Sequence, residues 1–499
     1  MASSKPTRRA GSTSGLWRLA LILSGVLMLS GCVVGPKYNR PSVDAPSAWK
    51  EPPPEGWKAA TPQDEISKGN WWSVFNEPEL NDLETQALSA NQSLQAAAQR
   101  VIEARATALA TRSNLFPFVS GGFSPGRARI SGTRPLPPGS GGDVAFSANT
   151  FSLPVQASYE VDLWGQIRHE IESANALTQK SVADYENVLL QLKSDVASDY
   201  IMVHYIDEEL VILRNNIDLQ QHAVDLANVR HQGGVASGLD VSAAETLLNT
   251  TQATYVGLGV QRAQFEHALA VLLGKPPAEF SLAQKPLETI PPALPAGLPS
   301  DLLERRPDVA GAERVMASNN AQIGVARAAY FPNVTLTFSA GGLSTFLGQI
   351  LDAPSLVWSV AANASQPIYT GGRLSANLLL ARATYDESVA NYRQTVLTGF
   401  QQVEDNLAAL RVLAEEAHAE QAAVQAAEDA LRISTYQYKA GTVSYLQVIT
   451  SQEIALQNER TAVDILTRRM VASVALIEAL GGGWDASTLP SVADVIHGK

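Results

Sequence analysis

The stretch GVASGLDV, Gly234 to Val241, returns 207 residues later as GTVSYLQV, Gly441 to Val448. Around this pair the rest of the chain also falls into two copies. LFP at Leu115 to Pro117 answers YFP at Tyr330 to Pro332, and DLWGQIR at Asp162 to Arg168 answers PIYTGGR at Pro367 to Arg373. LLG ending at Gly274 answers ALG ending at Gly481. The order is kept and the offsets are 215, 205, 207 and 207, so nearly all of the change in length falls in the segment after LFP. Self-similarity at a fixed period means one architectural unit built twice.

Proline shows what the unit contains. Val155 to Lys275 has none, and neither has Ile368 to Leu489. An interior proline costs a helix about 3 kcal/mol, so such blocks suit very long helices. In the first block Leu192, Val196, Tyr200, Val203, Ile206, Leu210, Leu213 and Ile217 recur at steps of three and four, a continuous apolar stripe on one helical face. The spacing predicts a helix from about Arg168 to His231, roughly 95 Å long at 1.5 Å per residue. The turns at Gly234 and Gly441 then reverse each rod into a return helix, glycine supplying a φ that other residues resist.

Before each rod the period changes to two. Phe151, Leu153, Val155, Ala157, Tyr159 and Val161 alternate with polar residues. So do Val334, Leu336, Phe338 and Ala340, and Leu356, Trp358, Val360, Ala362 and Ala364. These patterns predict strands with one apolar face. Each copy is expected to hold a strand pair, joined by SPGRARISGTRPLPPGSGG in the first copy and GGLSTFLGQILDAPS in the second. Phe118 to Phe123 is the expected first strand, interrupted by Gly121 and Gly122. Such strands fit either a small soluble sandwich capping a helical bundle or a lipid-facing barrel wall. Four strands cannot close a barrel, and open edges are not tolerated in hydrocarbon, so the membrane reading requires several chains in one barrel.

The chain carries one cysteine, in LMLSGCVVG. Lys5, Arg8, Arg9 and Arg18 precede it with no acidic residue, and Leu19 to Leu29 is an apolar run of secretory length, too short for a membrane helix. We expect residues 1–31 to be a signal peptide and Cys32 a lipid-attachment residue, with Val33 rather than aspartate after it. The net charge of −12, more acidic still without those four basic residues, argues against nucleic acid as partner. Enzyme motifs are missing: no phosphate-cradling Gly-Lys loop, no HExxH, and GVASG is not a G-x-S-x-G elbow. His222 and His231 lack metal-ligand spacing with acids or thiols. No cofactor and no catalytic or metal residue is expected.

Leu29-Ser30-Gly31-Cys32 resembles the bacterial lipobox, and GPKYNRP after it, the duplicated halves, the FP dipeptides, ERRPDV at Glu304 to Val309 and the G-x-x-S-x-L turns resemble the TolC-like outer membrane factor family in its lipoprotein (NodT-type) branch. The resemblance spans essentially the whole mature chain. It implies a mainly α fold with β, in which a homotrimer forms a 12-stranded transmembrane β-barrel continuing into a periplasmic α-helical barrel. It divides the chain into 32–274, with strand pair about 117–163 and long helices about 165–273, and 275–499, with linker 275–300, strand pair about 332–369, long helices about 371–480 and an equatorial tail. It implies a passive efflux duct in the outer membrane, with a periplasmic adaptor (membrane fusion) protein and an inner-membrane pump of the resistance-nodulation-division type as partners. A lipid-tethered periplasmic scaffold or adaptor is the competing function.

By position the resemblance makes Gly234, Val235, Ser237, Leu239, Gly441, Thr442, Ser444 and Tyr445 the adaptor-docking tip, and Asp240, Tyr438, Leu446, Gln447 and Thr450 the channel aperture. Three copies of Asp240 would make an acidic ring and three of Leu446 an apolar one. Gln447 and Thr450 stand where related channels often have acidic residues, which favours an apolar aperture. Tyr438 is read equally well as a packing residue. ERRPDV reads as a helix start, with Pro307 and Asp308 in the first turn.

Overall fold

The computed structural model describes residues 33–51, 70–133, 145–286, 291–292 and 305–485, with single positions 487, 489, 491 and 494. The expected signal peptide and Cys32, much of the 275–300 linker, Glu304 and most of the tail lie outside the described residues. After a 3-10 turn at Trp71–Phe75 come α1 (Pro78–Ala90), α2 (Gln92–Ser113), β1 (Phe118–Gly121), β2 (Ser124–Ile130), β3 (Phe146–Val161), α3 (Gln166–Gln232) and α4 (Gly238–Leu272). The second copy supplies α5 (Pro307–Ala328), β4 (Asn333–Ser344), β5 (Leu356–Ser365), α6 (Arg373–Lys439) and α7 (Tyr445–Ala479).

Helix lengths repeat without change. α2 and α5 have 22 residues, α3 and α6 have 67, α4 and α7 have 35. At 1.5 Å per residue α3 and α6 are rods of about 100 Å. One pairing from the sequence shifts. Gly165 (φ +85°) caps α3 and Gly372 (φ +87°) caps α6, so Gln166 answers Arg373 and the offset is 207 here too. What the two copies share is the turn conformation at the strand-to-helix junction, not the alignment of Arg168 with Arg373.

The expected stripe on α3 is the seam it buries. Leu192, Val196, Tyr200, Val203, Ile206, Leu210 and Leu213 are all buried, and Ile217 is half-buried. Its middle meets Trp71, Trp72, Phe75, Leu80 and Leu83 of the N-terminal segment, Leu269 of α4 and Leu273 just after it, and Met470, Val474 and Ile477 of α7. This is the main core, and it fixes the N-terminal segment as a girdle around the rods. Beside it Arg262 of α4 donates to Asp207 of α3 (2.6 Å) and to the Leu282 carbonyl (2.8 Å), while the Lys285 amide donates to Asp207 (3.1 Å). The chain leaving α4 is thereby tied to α3. As expected of ERRPDV, Pro307 opens α5; Arg306 pairs with Asp308 and donates to the Ala479 carbonyl at the end of α7 (2.9 Å).

The strands form one antiparallel sheet in which β3 of the first copy pairs with β4 of the second. Two expectations need correction. SPGRARI, read as the start of a loop, is β2. Its Pro125, Gly126 and two arginines hide the signature, but Phe146–Ser152 of β3, longer than the alternation indicated, gives it a partner. The first edge also does not end at Phe123: as the glycines suggested, the strand breaks at Gly122 and Phe123, but Phe118↔Ser158, Gly121↔Val155 and Ser124↔Ser152 share one register, so β1 and β2 follow one another along a single edge.

Register aligns the apolar faces. Val161↔Val334↔Ala364, Tyr159↔Leu336↔Ala362, Ala157↔Phe338↔Val360 and Val155↔Ala340↔Trp358 run across β3, β4 and β5. The opposite face carries Gln156, Ser158 and Glu160 against Ser339, Thr337 and Thr335. Within one chain the apolar face is uncovered: Trp358, Val360 and Leu356 are among the most exposed large hydrophobics. The outer edges of β1/β2 and of β5 have no partner strand among the described residues. No described helix is long and apolar enough to cross a membrane.

Residues 33–51 run from the strand-to-helix junction down the rods. The Val34 amide donates to the Trp164 carbonyl (3.0 Å), Asn320 donates to the Pro36 carbonyl (3.1 Å), Arg40 donates to the Tyr392 hydroxyl (3.1 Å), and Arg411 donates to Glu51 (3.0 Å).

Candidate functional site

The rod ends farthest from the sheet are built from two matching turns. The Gly234 amide donates to the His231 carbonyl (2.9 Å) and the Val235 amide to that of Arg230 (2.9 Å). In the second copy Gly441 donates to Tyr438 (2.9 Å) and Thr442 to Gln437 (3.0 Å). Both glycines are left-handed, φ +77° and +78°, the conformation a helix-ending turn of this type needs. A Cβ at Gly234 would meet nothing within 4 Å, and one at Gly441 only Arg230 Nη2 at 3.9 Å. Both glycines therefore serve the backbone conformation and leave the space in front of the turn open.

The return helices start differently. Ser237 and Asp240 form a reciprocal cap on α4: the Asp240 amide donates to Ser237 Oγ (3.2 Å) and the Ser237 amide to Asp240 Oδ2 (3.1 Å). Ser444 makes no side-chain cap on α7, where glutamine replaces the aspartate. Asp240, expected at the aperture, thus has a local structural job as well.

Val235, Leu239 and Leu446 stand 72, 77 and 67% exposed, and Gly234, Ser237, Gly441, Thr442, Ser444, Gln447 and Thr450 are exposed too. Two of the assigned residues are not, and for Tyr438 this is the packing alternative. Tyr445, assigned to docking, and Tyr438, assigned to the aperture, are buried, with ring centroids 5.1 Å apart. They pack with Val224, Ala227, Ala244, Leu247 and Leu248 of the first hairpin and Val448 and Ile449 of the second. A ring in an amphipathic helix can point either way, and only the neighbouring hairpin decides that these face inward. Burial pushes the Tyr445 hydroxyl up to about 12 and also raises Tyr438, so both stay neutral.

The residue that sequence reading missed is Arg230. Its guanidinium lies over the Tyr438 ring (4.5 Å to the centroid), and Nη1 donates to the Tyr438 carbonyl (2.8 Å). It therefore joins the end of α3 to the end of α6, one tip hairpin to the other. In sequence it looks like an ordinary cation in the last turn of a helix; its partner lies 208 positions away. No described group of side chains could hold a metal ion.

A duplicated rod with a half-exposed apolar sheet at one end and paired glycine turns at the other defines a class of envelope channel proteins. The chain belongs to the outer membrane efflux protein family, which matches residues 83–275 and 298–482. Its relatives are efflux proteins, not enzymes, and the family's membrane is the outer one. The chain is 33% identical to the pyoverdine export outer membrane protein OpmQ of Pseudomonas aeruginosa, over 93% of this chain and 97% of that protein. It is 32% identical to the probable efflux pump outer membrane protein TtgC of Pseudomonas putida, over 92% and 94%. The fold is similar to the solved outer-membrane channel OprN, with a TM-score of 0.83 and 28% identity, covering 91% of this chain and all of that one.

Proposed function

We propose that three copies of this chain form a passive exit duct for an efflux system, closed by a shared twelve-stranded barrel. The observation that carries this is the sheet: four strand positions, a continuous uncovered apolar face, and two open edges on rods of about 100 Å. Hydrocarbon tolerates no unpaired edge, so a membrane sheet of this size needs copies of itself for closure. The polar face then lines the lumen, and the rods continue the conduit across the periplasm. An adaptor protein docks at the glycine turns, and an inner-membrane pump of the resistance-nodulation-division type supplies the energy. Cys32 carries the lipid anchor; that Val34 is hydrogen-bonded to Trp164, where the strands end, supports an attachment point at the membrane surface.

The first test is the detergent-corrected mass of the mature protein purified from membranes. A mass of three chains is expected. A folded monomer would leave the edges open and return the lipid-tethered periplasmic scaffold as the better reading.

The docking role is tested at Gly441. Gly441→Trp puts a bulky ring into open space at a left-handed position, costing on the order of 1–2 kcal/mol of backbone strain. The trimer is expected to survive, while export falls at least about ten-fold because the adaptor can no longer approach the backbone. Wild-type export from Gly441→Trp would remove the docking assignment.

A further inference from the structure

Arg127 and Arg129 lie on β2, opposite Asn149 and Ser147 of β3. The register that aligns the apolar face also fixes theirs. Pro125 pairs with Phe151 on the face of Leu153, Val155, Tyr159 and Val161, so Arg127 and Arg129 continue that same face beyond its last apolar row. Both are exposed, and neither has a carboxylate partner among the described residues. At the same height the opposite face is apolar, with Ala128↔Ala148 and Ile130↔Phe146. Polarity has reversed: the charge points away from the lumen, where cargo passes.

Height decides what the charges meet. From Val161 to Phe151 is ten residues of β3; at about 3.3 Å each, tilted about 40°, they rise about 25 Å, the height of an outer-membrane apolar band. Its lower rim, beside the helices, is aromatic, with Trp164 stacked on Phe331 at 4.7 Å. Its upper rim is Phe151 and Pro125. Arg127 stands one row higher, about 7 Å along the strand, and Arg129 a second row higher. Two guanidinium groups on the outward face at that level stand among the headgroups of the outer leaflet.

We propose that Arg127 and Arg129 form a binding site, repeated on each chain, for the phosphate groups of the phosphorylated glycolipid of the outer leaflet. Guanidinium presents a planar fork matched to phosphate and holds it bidentately, as a lysine cannot. The site rests on the reading of the sheet as the wall of an outer-membrane barrel.

The test uses the full mature chain reconstituted into vesicles carrying bisphosphorylated lipid A, dephosphorylated lipid A or neither. Lipid retained per trimer is read by native mass spectrometry, with titration of inorganic phosphate as a separate arm. Wild type is expected to retain the bisphosphorylated lipid over its dephosphorylated form. Arg127→Gln/Arg129→Gln should lose about ten-fold of that preference, and Arg127→Lys/Arg129→Lys should keep part of it. Equal retention of both lipids by wild type, or an unchanged preference in the Gln variant, overturns the site. Inorganic phosphate binding as tightly as the lipid overturns the glycolipid assignment. Failure of wild type to insert as a trimer sinks the barrel reading and the site with it, whereas insertion without lipid preference sinks the site alone.

Discussion

Arg230→Ala is expected to raise the conductance of the reconstituted channel at least about ten-fold. The two tip hairpins are each closed by their own turn, and among the described residues Arg230 joins their ends within a chain: Nη1 donates to the Tyr438 carbonyl with the guanidinium over the Tyr438 ring, while Asn216–Glu459 and Glu209–Arg460 link α3 to α7 farther from the tip. A hydrogen bond from a charged donor contributes about 1.5–3 kcal/mol, and a partly desolvated cation–π contact about 0.5–2 kcal/mol. If the proposed aperture opens by moving the second hairpin away from the first, both are lost on opening, and together they outweigh the 1.4 kcal/mol of a ten-fold shift. Arg230→Lys keeps the charge but not the planar fork and should fall between. The apolar cluster beneath, from Val224 to Ile449, keeps the hairpins folded in either variant. Conductance unchanged in Arg230→Ala would show that the hairpins move as one body and that the contact is structural.

The second large effect is on stability and lies in the girdle. Glu84 of α1 is 0% exposed and both carboxyl oxygens lack a hydrogen-bond partner. Burial pushes its carboxyl up to about 9, against the opposing pull of Lys193. The folded protein therefore holds a proton that the unfolded chain releases above about pH 4.5. Nothing is lost below that pH; as pH rises from about 4.5 to about 9, stability falls by up to about 1.4 kcal/mol per unit. Glu84→Gln removes the ionisable group and keeps the shape. The variant is expected to be more stable than wild type by on the order of 3 kcal/mol at pH 8 and to match it at pH 4. Glu186, also raised by burial, leaves a shallower slope behind. Thermal melts of the detergent-solubilised protein across this range decide the matter: parallel curves for wild type and variant would mean that Glu84 finds a partner on ionising.

How much of this was legible in the sequence depended on whether the determinant was local or periodic. The apolar steps from Leu192 to Leu213 announced the buried seam of α3, because a stripe at helical spacing has one way to be covered. The absence of proline marked the rods, and Gly234 and Gly441 marked the reversals, because only glycine takes that φ at no steric cost. Alternation from Phe151 to Val161 and from Leu356 to Ala364 marked strands, but it failed for SPGRARI, whose strand character comes from the neighbour it pairs with.

The sequence by itself therefore determined the duplication, the rods, the turn positions and the apolar face of the sheet, since each follows from periodicity or from one residue's backbone preference. Tertiary structure alone decided the pairing of β3 with β4 across the two copies, the inward turn of Tyr438 and Tyr445, the contact of Arg230 with a residue far along the chain, and the burial of Glu84. Those depend on which surfaces meet, and a single helix or strand carries no record of its neighbour.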